Sequence, residues 1–320
     1  MRRLRSIGRV KTYRSSEIKN VYFGIGLEKL DRGVFDPEKT YDPIAELGVK
    51  HVRLQSGWMR TEREEGVYDF SWLDRIVDNL ISRGLKPWLC LCYGNPLYSE
   101  DARKYYGAVG CPPIYSERER EAWANYCRAT AAHYLGRIDT YEIWNEPMGK
   151  WCWKRGPSAE EYGKFASDTA QAVKSVSKDI KMLGGSFHRF DPEWIETALR
   201  TDDMYRHIDA VTYHGYSAFP ERVIDVVAGF RKILAKFGDL PLVQGESGCP
   251  SDHRGHGAIN DAAWTEEKQA KVLLRRHVID LLTKVTFTTH FTTVDMIEAL
   301  NGLTGAPLSF LLYTQHCREL

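Results

Sequence analysis

IDTYEIWNEP, residues 138–147, is an apolar and aromatic run that stops at a polar pair sealed by a proline. Proline cannot donate to a ladder, so the strand has to end at Asn145-Glu146. An unpaired carboxylate inside a sheet would cost several kcal/mol, so a strand finishing at a cleft is the reading that accommodates Glu146. Seven more runs of this kind flank it, at 21–27, 50–55, 86–93, 180–186, 208–214, 240–246 and 285–291. All are rich in Val, Ile, Leu or aromatics without strict polar alternation, the pattern of parallel strands buried on both faces.

Helical periodicity fills the gaps between the runs. Ser71 before WLDRIVDNLISRG, Ser116 with Glu119, and Ser158 with Glu161 are read as N-terminal caps, and Asp36-Pro37 has the cap-then-proline order. Stretches 220–238 and 265–284 supply two further helices. Eight strands alternating with helices, with no Gly/Ser/Pro linker between them, predict an α/β fold closed as a (β/α)8 TIM barrel over residues 21–320, behind a basic arm at 1–20. A doubly wound open sheet is the rival. It lacks a dinucleotide fingerprint, because FGIGLEK has no third glycine.

Composition narrows the function. A net charge of +1 with 43% hydrophobic and 27% charged residues fits a packed core and gives no basic field for nucleic acid. No segment is long and apolar enough to span a bilayer, and no h-region follows the basic start, which argues against a signal peptide there. Seven cysteines, an odd count without the spacing of a disulfide framework, lead to the expectation of a reducing, cytoplasmic setting.

A barrel carries its site where the strands end. Those ends bring Arg53 and the following Trp58, Tyr93 and Asn95, Asn145-Glu146, His214-Gly215-Tyr216, and Glu246. Two glutamates three strands apart suit glycoside hydrolysis, in which one carboxyl, its pKa raised, protonates the departing oxygen and the other attacks the anomeric carbon. Asn145 is placed to hold a sugar hydroxyl, and Tyr216 and Arg53 to orient the attacking carboxylate and keep it ionised. The competing reading of the two glutamates is an ion pair with Arg53 in an inactive barrel. Glu142, on the same strand parity as Glu146 but deeper in the barrel, reads as a paired interior carboxylate with Arg53 as its partner. His214 is either a substrate contact or a satisfied core histidine. Trp151, Trp153 and Trp58 are either sugar platforms or loop anchors.

WNEP on strand four, H-x-Y on strand six and the terminal Glu of strand seven resemble the clan A glycoside hydrolases. EIWNEP, GVYDFSWLD (66–74) and GPSAEEY (156–162) bring the resemblance closest to family 39, the β-xylosidase and α-L-iduronidase relatives. It implies Glu146 as acid/base, Glu246 as nucleophile, Asn145 as sugar ligand, and retention of configuration. It also implies a glycoside or oligosaccharide substrate, no cofactor and no metal, and it is compatible with a homo-oligomer. Strand eight, VTFTTHF, lacks the clan's tryptophan and leaves its position to His290 or Phe291. The alternatives are a non-catalytic carbohydrate-binding protein on a degenerate barrel and an endo-acting clan A glycanase. A zinc site at Cys249, His253 and His256 is disfavoured by its loose spacing. The stretch 94–113 is expected to wall the pocket or meet a second subunit.

Overall fold

The structure is a computed structural model that describes residue 8 and residues 11–20, 22–251, 258–259 and 263–294. Its eight parallel strands are β1 (Phe23–Gly26), β2 (His51–Gln55), β3 (Lys86–Leu91), β4 (Thr140–Ile143), β5 (Lys181–Phe187), β6 (Ala210–His214), β7 (Leu242–Ser247) and β8 (Thr288–His290). They run round the barrel in chain order and close where β1 pairs with β8. Each of the eight apolar runs supplies one of them, and the open sheet is excluded by that closure.

Helices α1 (Tyr41–Glu46), α2 (Ser71–Ser82), α3 (Glu117–His133), α4 (Ala159–Lys174), α5 (Pro192–Arg200), α6 (Val223–Leu234) and α7 (Glu266–Leu282) form the outer layer. Ser116 and Glu119 make a full capping box on α3. On α4 the Ser158 side chain accepts from the Glu161 N–H, but the Glu161 carboxylate turns away to take the indole N–H of Trp153. The expected cap at Ser71 is corrected. Ser71 is the first residue of α2, and Asp69 accepts its N–H. Asp74 is thereby freed to pair with His133 and Arg137.

The described part of the N-terminal arm packs on the barrel. Ser15 is buried and donates both its N–H and its hydroxyl to the Ala45 carbonyl, and the Lys50 ammonium donates to the Ser15 carbonyl. The long stretch 94–113 folds as a short helix, Glu100–Lys104, and a 3-10 turn, Tyr106–Ala108. Ala102, Ala108 and Cys111 pack there against Met59.

Inside the barrel, Trp88, Leu183, Ala210, Val243 and Phe287 make an apolar plug. The Arg53 guanidinium lies over the Trp88 ring, 5.6 Å from its centroid. The interior therefore changes from apolar to charged as it rises towards the strand ends. Two bulges occur at that level. On β5, three residue steps (Gly184 to Phe187) face two on β6 (Val211 to Tyr213). On β7, two steps (Gln244 to Glu246) face one on β6 (Tyr213 to His214). A bulge turns the next side chain to the other face, and here the residues so placed are Ser186 and Glu246.

Candidate active site

Arg53, fully buried on β2, organises the charged floor. Its Nε and Nη2 donate to Glu142 Oε2 at 2.9 and 2.6 Å, and Nη2 also reaches Asn145 Oδ1 at 2.9 Å. Its Nη1 is shared between Glu246 Oε2 at 2.8 Å and Glu28 Oε1 at 3.2 Å. Burial alone would lower the guanidinium's pKa, but Glu142 and the other surrounding carboxylates raise it well above its ordinary value. Removing one partner from so buried a cluster costs about 3–5 kcal/mol. Glu142 is thus the paired interior carboxylate that its depth predicts, and Arg53 serves both it and Glu246.

Glu246 is 8% exposed and receives a second donor from the opposite side, the phenol of Tyr216. Burial first, and then the Glu246 charge, push the Tyr216 pKa well up, so the phenol keeps its proton to donate. Glu28 follows β1, outside every sequence-derived candidate. Burial drives its pKa up to about 7, with Arg53 pulling down and Glu246 pushing up. Thr292 Oγ1 donates to its other oxygen at 3.1 Å. Gly26 leaves the room this needs, since a Cβ there would lie 2.1 Å from that carboxylate.

Glu146 stands across the cleft. His214 Nδ1 contacts its Oε1 at 2.8 Å, and the Trp151 indole N–H donates to its Oε2. The other imidazole nitrogen of His214 meets Ser186 Oγ at 2.9 Å. Burial pushes the Glu146 pKa up, but the His214 hydrogen bond and charge, with Trp151, outweigh it and hold the group below its ordinary value. His214 shifts the other way. Burial lowers it, but Glu246 and Glu146 together leave its pKa raised. The upward shift expected of the acid carboxyl is therefore corrected to a downward one, with the His214 pKa raised across a 2.8 Å contact. One oxygen of each glutamate and a nitrogen of His214 lie within 4.8 Å of one another.

The backbone around Glu146 is left-handed at Trp144 (φ 65°), Glu146 (φ 44°) and Ser186 (φ 50°). Each such residue costs on the order of 1–3 kcal/mol. Donations from Trp144 Nε1 to the Cys152 carbonyl (2.8 Å), from the Glu146 N–H to Ser186 Oγ (3.2 Å) and from the Ser186 N–H to Thr212 Oγ1 (2.7 Å) hold them there.

Three candidates are relocated. Trp58 is 0% exposed, stacked between Tyr98 and Tyr126 with its N–H on Glu62, so it anchors the hairpin Glu62–Tyr68 and cannot reach a sugar. Trp153, also 0% exposed, packs edge-on against Trp144, Tyr162 and Phe165. Tyr93 is buried behind Asn145. Its hydroxyl accepts from Gln55 at 3.1 Å and lies 3.9 Å from Cys152 Sγ, which in turn takes an Asn145 N–H at 3.4 Å. These rings are interior because of the apolar area they carry, roughly 150–250 Å² each, about 4–6 kcal/mol when removed from water. Trp151 alone of the four stays exposed. His290 is mostly enclosed beside Ser247 and Gly248, and burial lowers its pKa to about 4. His253 and His256 lie outside the described residues. Cys249 sits instead by Gln269, whose side chain donates to the Cys249 carbonyl at 2.8 Å.

Glu146, His214 and Glu246 are the ligand-type trio that the described residues bring together. A cation there would have to displace Arg53 and Tyr216 from Glu246, Trp151 from Glu146, and the hydrogen bonds of His214.

A closed parallel barrel with glutamates facing each other from the fourth and seventh strand ends is the architecture of clan A glycoside hydrolases. The chain belongs to the glycosyl hydrolases family 39, which residues 39–247 match. A β-xylosidase of Geobacillus stearothermophilus is 29% identical over 162 residues, 47% of this chain and 31% of that protein. A β-xylosidase of Caldicellulosiruptor saccharolyticus is 27% identical over 157 residues, 43% of this chain and 31% of the other. The chain thus spans about a third of the length of these curated relatives. Among solved structures, a family 39 glycoside hydrolase of Bacteroides cellulosilyticus WH2 superposes with a TM-score of 0.66 at 18% identity, covering 85% of this chain and 56% of that one. A monomeric β-xylosidase of Caulobacter crescentus CB15 gives 0.65 at 18%, covering 84% and 59%. At that identity the superpositions speak for the fold.

Proposed function

We propose that this chain is the catalytic barrel of a retaining, β-xylosidase-like glycoside hydrolase, with Glu246 as nucleophile and Glu146 as acid/base. The observation that carries the reading is the approach of the two carboxylates, an oxygen of each lying within 4.8 Å. Retaining pairs stand about 5–5.5 Å apart, whereas an inverting pair needs roughly 6.5–9.5 Å to seat a water.

In this mechanism a Glu246 oxygen bonds to the anomeric carbon as the glycosidic bond breaks. The electron pair of that bond leaves with the departing oxygen, which takes a proton from Glu146. Water then gives a proton back to Glu146 and attacks the anomeric carbon, releasing Glu246. Arg53 and Tyr216 hold the nucleophile from two sides, and Asn145, fixed by Arg53 and Cys152, turns its remaining N–H to a sugar hydroxyl. No metal takes part.

The buried free thiols Cys90 and Cys92 on and beside β3 support a reducing, cytoplasmic setting. Among the described residues no helix is long and apolar enough to cross a membrane. A panel of nitrophenyl glycosides tests the activity, and proton NMR of the first-formed sugar tests the stereochemistry. No cleavage of any member, or an inverted first product, overturns the reading.

A further inference from the structure

Among the described tryptophans Trp151 alone is exposed, at 51%. It nonetheless has a fixed place. The Gly149 N–H donates to the Glu146 carbonyl at 3.0 Å, and the Cys152 and Trp153 N–H groups both return to the Gly149 carbonyl at 2.9 Å. A Cβ on Gly149 would stand 2.4 Å from the indole, so any side chain there would push the ring off its seat. The ring leans on the imidazole of His188, with centroids 4.7 Å apart and planes at 59°. His188 is the residue after β5, and its Nδ1 is buried with no hydrogen-bond partner. Burial lowers its pKa, with Glu146 pulling the other way, so near neutrality the imidazole is uncharged and can accept a hydrogen bond.

Both oxygens of Glu146 are engaged, one by His214 and one by Trp151. A general acid must come within hydrogen-bond reach of the oxygen it protonates. One of the two donors therefore has to yield when substrate arrives. His214 cannot, because its ring is buried and both nitrogens are engaged. Trp151 can, because its side chain is half in solvent. The glycosidic oxygen then takes the indole's place at Glu146 Oε2, and the group carried by that oxygen comes to lie against the ring that has just moved aside.

Resting on the assignment of Glu146 as acid/base, we propose that Trp151 and His188 form the leaving-group subsite. The indole face receives the flat C–H face of an expelled pyranose, and His188 Nδ1 accepts from one of its hydroxyls. Aromatic faces suit such apolar sugar faces, and a buried acceptor without a partner rewards a hydroxyl donor. The ligand class is thus a saccharide with a second ring beyond the cleaved bond.

The test compares two substrates that share the sugar accepted in the nitrophenyl panel: its glycosyl fluoride, whose leaving group is too small to reach the ring, and its disaccharide. Parent, Trp151→Ala, Trp151→Phe and His188→Ala chains are assayed for kcat and KM. Trp151→Ala is expected to lower kcat/KM on the disaccharide by about tenfold more than on the fluoride, mainly through KM. Trp151→Phe, which keeps a ring, recovers most of that difference. His188→Ala loses about threefold to tenfold on the disaccharide beyond its loss on the fluoride. Equal losses on both substrates for Trp151→Ala, or none on either, overturn the subsite. A parent chain that cleaves nothing in the panel refutes the glycosidase reading itself, and the subsite with it.

Discussion

The two sides of the cleft hold chemically identical glutamates by different means. On the β7 side, Glu246 is fixed by Arg53, a buried and permanent cation, and by the Tyr216 phenol, which burial keeps protonated. On the β4 side, Glu146 is held by His214, whose charge depends on a proton, and by an indole that is half in solvent. The first environment supplies a charge that does not move. The second supplies one partner whose charge can change and another that can be displaced. The proposed nucleophile needs the former and the proposed acid/base the latter, so in that reading the surroundings rather than the side chain divide the roles.

The largest effect that could break this division is at Glu246. Glu246→Ala should lower turnover by on the order of 10⁴-fold or more, and azide should partly rescue it on an activated aryl glycoside. The rescued product is a glycosyl azide of configuration opposite to the substrate's. Retained activity without azide, or rescue at Glu146 with that stereochemistry, would exchange the two roles.

On the other side, Glu146→Gln should cost about 10²–10⁴-fold on substrates with poor leaving groups and far less on nitrophenyl glycosides, because protonation matters most where the leaving oxygen is basic. Identical losses on both would remove the acid/base assignment.

The tryptophans of the Glu146 loop sharpen the comparison further. Trp153→Ala empties a fully buried site, so it should cost roughly 3–5 kcal/mol of stability and lower Tm by several degrees, with KM of the folded enzyme little changed. A raised KM with Tm intact would return Trp153 to the sugar-binding surface.

The smallest expected effect concerns Glu28. Its carboxyl is raised from 4.5 to about 7 in the folded chain. Between those values the folded state keeps a proton the unfolded state has lost, so this group's contribution to stability falls as pH rises through that window. Glu28→Gln carries no such proton. Its Tm relative to the parent should therefore climb between about pH 5 and about pH 8. A difference in Tm that is constant with pH would mean that Glu28 is charged throughout.

Much of this was legible in the sequence, and for local reasons. Eight apolar runs without polar alternation specify eight strands buried on both faces, and YEIWNEP ends one of them because a proline follows a carboxylate. The same logic put Glu142 below the cleft and Glu246 and Tyr216 at it. Side-chain chemistry was less legible. Trp58, Trp151 and Trp153 read alike in sequence, since an indole suits a core and a sugar equally well, and packing of the surrounding rings separated them.

What the sequence determined by itself was the periodicity, the strand ends and the two glutamates, because these depend on neighbours along the chain. The tertiary structure alone decided how Glu246 is aimed, through an extra residue in β7 opposite β6. It also decided that Ser186 turns in to support His214, and that Glu28, just after a strand with no site signal, shares Arg53 with Glu246. The directions in which the Glu146 and His214 pKa values move were decided there too. A pKa is the sum of burial and charges brought together from strands four, six and seven, and no stretch of one strand contains that sum.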